Sequence, residues 1–329
     1  MHKSIGFVVL NMKSRFLFFL LIISFFSSKL RALDFSFSVE PGISFKKSLT
    51  EEALFFNGYF GSDSSDICSL LEWNEKYVGY FDLNTTLRLS SEKNGFLFSN
   101  GISLAFPYNE GMMCDTDWNI SGKKSDYSEF DNNIHRCYEL STMFSYEREI
   151  TPLFTLRPSL SLSYNYISFE GKNGHGWRDM DTLTPHYYPD GKYHLAGIDY
   201  ESKKISVFMS FAAVTRFSDS FSLLFGAGLS PFSFVLAMDR HLARDYVTED
   251  YIYNYFRNYT LFAELGYKLS EKILLCLSLK SNWFLFTKGD EYYNYDDGDF
   301  EISSQKAGYS YRELSCRFGL KVFLFDGTK

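Results

Sequence analysis

The amino-acid sequence predicts an all-β fold: a ten-stranded antiparallel transmembrane β-barrel with long extracellular loops. Three observations lead there. Apolar residues recur with a strict period of two, the opposite face carries ionisable residues, and the connections alternate between short and long. In 154–167 the even positions are Phe154, Leu156, Pro158, Leu160, Leu162, Tyr164 and Tyr166, while the odd ones include Thr155, Arg157, Ser159, Ser161, Ser163 and Asn165. Such alternation describes a strand with one apolar and one polar face. A soluble sandwich would point its apolar face into a shared core and leave the other in water. A barrel in a bilayer turns the apolar face to lipid and the Glu, Arg, Lys and Asn residues into a wet lumen, and its closure leaves no unsatisfied strand edge.

The elements follow in chain order. Lys3, Lys13 and Arg15 precede an apolar run of 11 residues (16–26), and a small residue stands at Ala32. This reads as a secretory signal peptide over 1–32, too short to span a bilayer as a helix, with Met12 as an alternative start to Met1. The barrel domain then occupies 33–329. The ten strands are expected near 34–46, 68–90, 96–107, 133–147, 153–170, 192–215, 221–237, 255–269, 273–287 and 306–325. Four connections, "SSEKNG", "REITP", "FSDS" and "LSEK", are tight turns, and the other five are long, polar and rich in Asp, Tyr and Asn. The 19% aromatic content, with 35 Phe and 24 Tyr, supplies the girdles at the two membrane interfaces.

Charge narrows the partners. The first 32 residues carry five bases and no acid, so the 33 bases of the whole chain fall to 28 against 40 acids in the remainder. A surface with that excess of 12 acids repels nucleic acid and attracts basic peptides or cations. The five cysteines (68, 114, 137, 276, 316) form no metal-ligand spacing. Cys114 and Cys137 flank one polar segment and are a candidate bridge. The acidic, Tyr-rich stretch 289–301 lacks the ligand spacing of an EF-hand and reads as a solvated loop. No metal or cofactor is expected.

Two short motifs stand out. Asp115 and Asp117 lie one residue apart in "CDTDW", after strand 3, and Asp239 and His241 lie one residue apart in "DRHLARD", after strand 7. Either motif alone is ordinary loop solvation. With the N-terminus in the periplasm, however, both fall on the outer rim, and residues i and i+2 of an extended strand end face the same way. A His beside a carboxylate is oriented and its imidazolium stabilised, so it can serve as a general base. The opposing carboxylate pair could hold the water that it activates.

At this point the chain resembles the omptins, a family of ten-stranded outer-membrane proteases with an active site at the extracellular rim. "SLLEWN" (69–74) is similar to the family's Ser-x-Leu-Asp-Trp segment, with Glu72 in place of Asp. "CDTDWN" matches its Asp-x-Asp-Trp motif, "DRHLARD" its Asp-x-His stretch, and "YPDGK" (188–192) its Phe-Pro-(Asn/Asp)-Gly turn. The resemblance implies that His241 activates water, Asp239 orients His241, Asp115 holds the water opposite and Asp117 supports Asp115, while Trp118 fixes the loop against the barrel. It also implies an aspartyl-type endopeptidase acting on exposed polypeptides near basic residues, embedded as a monomer in outer-membrane lipid. One family pocket acid falls on Ala237 here, which is a departure. Others are expected at Asp63, beside Ser62, and at Glu129. The alternative from another class is a non-catalytic surface barrel, an adhesin or narrow channel.

Overall fold

The computed structural model describes residues 34–56, 67–91, 93–179, 181–182, 184–185, 197–241, 246–295 and 298–326. The expected signal peptide, Asp63 and the "YPDGK" turn lie outside them. The described residues contain no helix, and their strands form one antiparallel sheet.

The strand segments are β1 (Asp34–Phe55), β2 (Ile67–Ser91), β3 (Asn94–Ala105), β4 (Tyr108–Trp118), β5 (Lys124–Thr151), β6 (Phe154–Arg178), β7 (Thr184–Pro185), β8 (Ile198–Arg216), β9 (Phe221–His241), β10 (Tyr246–Asn254), β11 (Asn258–Ser270), β12 (Ile273–Tyr295) and β13 (Phe300–Asp326). β3 and β4 both pair with β2 and with β5, so they are two halves of one wall strand. β10 and β11 are likewise two halves between β9 and β12. The two-residue β7 adds only to the upper end of β6. Ten wall strands remain. β1 pairs with β13 from Ser36↔Asp326 to Phe55↔Lys306, which closes the ring and removes both edges.

The lower part matches the expected phase. Leu160, Leu162, Leu261, Leu279, Leu314 and Phe318 point outward and are about half exposed as a lipid-facing band. Their neighbours fill the lumen with paired charges. Lys46 lies 2.5 Å from Glu139 and 3.8 Å from Glu313. Glu40 meets Arg317 and, at 2.9 Å, Lys321. Glu147 takes Arg88 at 3.0 Å and the Nε of Arg157 at 2.9 Å. Buried charges that lose water need such partners.

The upper part departs from the sequence reading. Strands continue well past the expected ends: β5 begins at Lys124 rather than near 133, and β12 runs to Tyr295 rather than 287. Asp115 and Asp117 therefore sit in strand β4, not in a loop, and most of 289–301 is strand too. The physical reason is that alternation marks the membrane, not the strand. Above the bilayer both faces of a wall can be polar, and the backbone ladder continues without an apolar signature.

The inner face also changes character there. Trp73 stacks on Phe169 at 5.3 Å and on Tyr200 at 5.2 Å, measured between ring centroids, and Phe284 meets Tyr309 edge-on at 5.3 Å. With Val78, Met113, Val235 and Ile252 these rings form a dry core that plugs the lumen above the charged tier. All five cysteines are free thiols, which corrects the suggested Cys114–Cys137 bridge. Cys137 instead lies 3.0 Å from the Tyr80 hydroxyl, and Cys114 lies 3.7 Å from that of Tyr127.

Candidate active site

A cleft of about 370 Å³ opens above the aromatic plug, lined by Asp115, Asp117 and Trp118 from β4 and by Asp239 from β9. Wall strands three and seven stand four places apart in a ring of ten, so these acids approach from opposing sides. Local register sets their direction. On β4, Asp117, Asp115 and Met113 pair with Ser69, Leu71 and Trp73 of β2, and Met113 and Trp73 are wholly buried in the plug. The period of two then carries the same inward face up to both aspartates. On β9, Val235, Ala237 and Asp239 are successive inward residues, all buried. Asp239 pairs with Tyr200 of β8 and Thr248 of β10, and its carbonyl accepts the Thr248 hydroxyl at 3.2 Å.

His241 ends β9, its backbone paired with Ile198, two residues above Asp239. Its side chain is outside the described residues. Glu129 is not brought to the cleft. It lies on the other face of β5, bonded to the Tyr127 hydroxyl and 3.4 Å from His175, while Ser125 and Asp126 of the same strand line the cleft instead.

Three acids that line the cleft escaped the sequence reading: Glu52 of β1, Asp126 of β5 and Glu291 of β12. Glu52 continues the inward face of Glu40, Ser44, Lys46, Ser48 and Thr50 and was legible had the strand been extended past 46. Glu291 was not legible, because a register shift between Phe284 and Thr287 reverses which positions face inward. Directly across from Glu291 stands Asp250 of β10, which in turn pairs with Ala237. Both Glu291 and Asp250 are 1% exposed, and Glu52 is 4% exposed. Burial, followed by the charges of Asp250, Asp239 and Glu291, holds the Glu52 carboxyl well above the usual carboxylate range. Burial raises Asp250 likewise; its contact with Glu52 works the other way, and Glu291 and Asp239 add to the rise.

Among the described residues no Lys, Arg or His lines the cleft. Cys68 does, but burial and the charges of Asp117 and Glu291 push its thiol up to about 11, so it supplies no thiolate at neutral pH. The chemistry available here is carboxylate chemistry on a bound water, with room for one side chain over an acidic floor.

A closed ten-stranded barrel with a lipid-facing band, a plugged lumen and an acidic cleft above it defines a class, the outer-membrane β-barrels. Within that class the chain belongs to the Omptin family, whose model matches residues 37–324. The fold is similar to that of the crystal structure of the outer membrane protease OmpT from Escherichia coli, with a TM-score of 0.75 at 15% identity, covering 88% of this chain and 97% of that one. The translocator domain of the autotransporter NalP from Neisseria meningitidis follows at 0.35 and 9% identity, covering 94% of this chain and 96% of that one, and carries no weight. No curated protein matches the sequence significantly.

Proposed function

We propose that this protein is an outer-membrane endopeptidase that hydrolyses exposed polypeptides beside basic residues, with its cleft facing the cell exterior. The observation that carries the reading is the meeting of Asp115, Asp117 and Asp239 in one cleft from opposing walls. Asp239 orients His241, which takes a proton from a water held by Asp115, and Asp117 supports Asp115. The hydroxide oxygen adds to the scissile carbonyl carbon. His241 then returns the proton to the departing amine, so no group on the enzyme is consumed. General acid–base assistance of this kind contributes about 10²–10⁴-fold.

The basic preference is supported by the acids that line the cleft, Glu52, Asp126 and Glu291, with Asp250 behind them. Ala237 removes one acid, and its cross-strand neighbour Asp250 supplies another at the same height. Outer-membrane lipid surrounds the band below, and the barrel acts as a monomer. The test is digestion of a peptide library by purified, refolded protein. Cleavage is expected at defined bonds next to Lys or Arg and should vanish in His241→Ala. Wild-type cleavage no better than that of the variant would end the reading.

A further inference from the structure

Two buried acids take no part in the proposed hydrolysis: Glu52, which lines the cleft, and Asp250, which stands behind it. Neither carboxylate oxygen of Asp250, nor Oε2 of Glu52, receives a donor from the described residues, and the two acids meet each other. The neighbours on the adjoining strands are acids, phenols, a thiol, a histidine and apolar residues. β12 presents Glu291, β9 presents Asp239 with His241 two residues on, and β4 presents Asp115 and Asp117. β8 and β13 present the buried phenols Tyr200 and Tyr309, and β2 presents Leu71, Trp73 and the Cys68 thiol. Two carboxylates in this setting cannot both be ionised without a counter-charge, because each charge is taken from water and faces the other at short range. Their joint charge is balanced either by a proton held between them or by a cation entering from the cleft.

We propose that Glu52 and Asp250 form a proton-for-cation exchange site, so that selection of a basic side chain strengthens as pH rises. This rests on the endopeptidase reading above. At low pH the pair keeps its proton, the floor is less negative, and a neutral side chain is accepted almost as well as a basic one. At higher pH a lysine ammonium or arginine guanidinium takes the proton's place, and the proton leaves through the cleft to water. Burial of both carboxyls raises the exchange above the range in which an ordinary surface Asp or Glu ionises. The exchange sets selectivity, not catalysis, since His241 and Asp239 act identically on both kinds of substrate.

That separation gives a clean measurement. Two peptides differing only at the cleaved position, Arg against Ala, are digested across about pH 5.5 to 8.5, and the ratio of their kcat/KM is followed. Titration of the catalytic groups is common to both peptides and cancels in the ratio. The ratio is expected to rise about tenfold per pH unit over the range where the pair loses its proton. In Asp250→Asn that rise should flatten, because an amide neighbour leaves Glu52 without a proton to share. A wild-type ratio that does not change with pH, or an unchanged rise in Asp250→Asn, overturns the proposal. A second measurement needs no variant. Calorimetry of a non-cleavable Arg peptide with a CH2–CH2 link in place of the scissile amide, in two buffers of different ionisation enthalpy near pH 6.5, should report release of roughly one proton on binding; binding with no proton released overturns it. The failures are distinguishable. Loss of cleavage of both peptides at every pH removes the endopeptidase reading and this inference with it, whereas cleavage with a pH-independent ratio removes this inference alone.

Discussion

In the lower lumen Glu40, Glu147 and Glu313 each lie against a base, whereas some turns higher Glu52 and Asp250 lie against other acids. The same barrel wall thus buries carboxylates in two ways. The lower charges are neutralised within the fold, so they fill and rigidify a lumen that must remain polar on its inner face. The upper ones are not neutralised by Lys or Arg, and a fold tolerates that expense mainly where a ligand or a reaction needs it. Between the two tiers lies the Trp73–Phe169–Tyr200 stack.

The largest expected effect tests the upper tier. Asp239→Asn should lower kcat/KM on a cleaved peptide by about 10²–10⁴-fold while the refolded barrel keeps its β-sheet circular dichroism. Glu40→Gln should do the reverse. It takes away the acid that Arg317 and Lys321 share and leaves Arg317 only the longer 3.6 Å contact with Asp82, so denaturant unfolding should report a loss of about 3–5 kcal/mol with peptide specificity unchanged. Trp73→Ala removes the partition itself. The loss of a fully buried aromatic should cost about 3–5 kcal/mol, and ion conductance in planar bilayers should appear only in this variant. Conductance by the wild type would mean that the plug does not seal and that the two tiers are not separate.

The smallest effect is one of pH. Glu52 and Asp250 have carboxyl groups raised above their unfolded values. The folded state therefore binds their protons more tightly, and the stability this contributes is complete below the ordinary carboxylate range and is lost as pH rises through the raised values. Asp250→Asn removes that loss, so its unfolding midpoint should gain on the wild type as pH increases, read by thermal melts in detergent at acid and alkaline pH. A variant that gains nothing at high pH would place these acids with the neutralised tier.

Leu160 and Leu162 showed the lipid face because a bilayer demands an apolar residue at every second position, and that demand is written directly in the chain. Asp115, Asp117, Asp239 and His241 were singled out by spacing and by strand parity, and the structure brings the three aspartates to one cleft. Strand ends were misplaced because a polar residue in water reads the same in a loop as on a wall. Glu129 was expected at the cleft and stands outside it, since Asp126 occupies the inward position of β5. Glu291 was hidden by the bulge above Phe284, and nothing in the local sequence announces a reversal of face.

By itself, then, the sequence determined the membrane-spanning barrel, its strand count, its family and the two acidic motifs, because these follow from periodicity and from short local patterns. Only the tertiary structure decided which acids share the cleft, that Ala237 has Asp250 beside it, that the thiols are unpaired and that an aromatic stack closes the lumen. Those outcomes depend on register and bulges between strands far apart in the chain, and a one-residue change in either turns a side chain from the cleft to the outside.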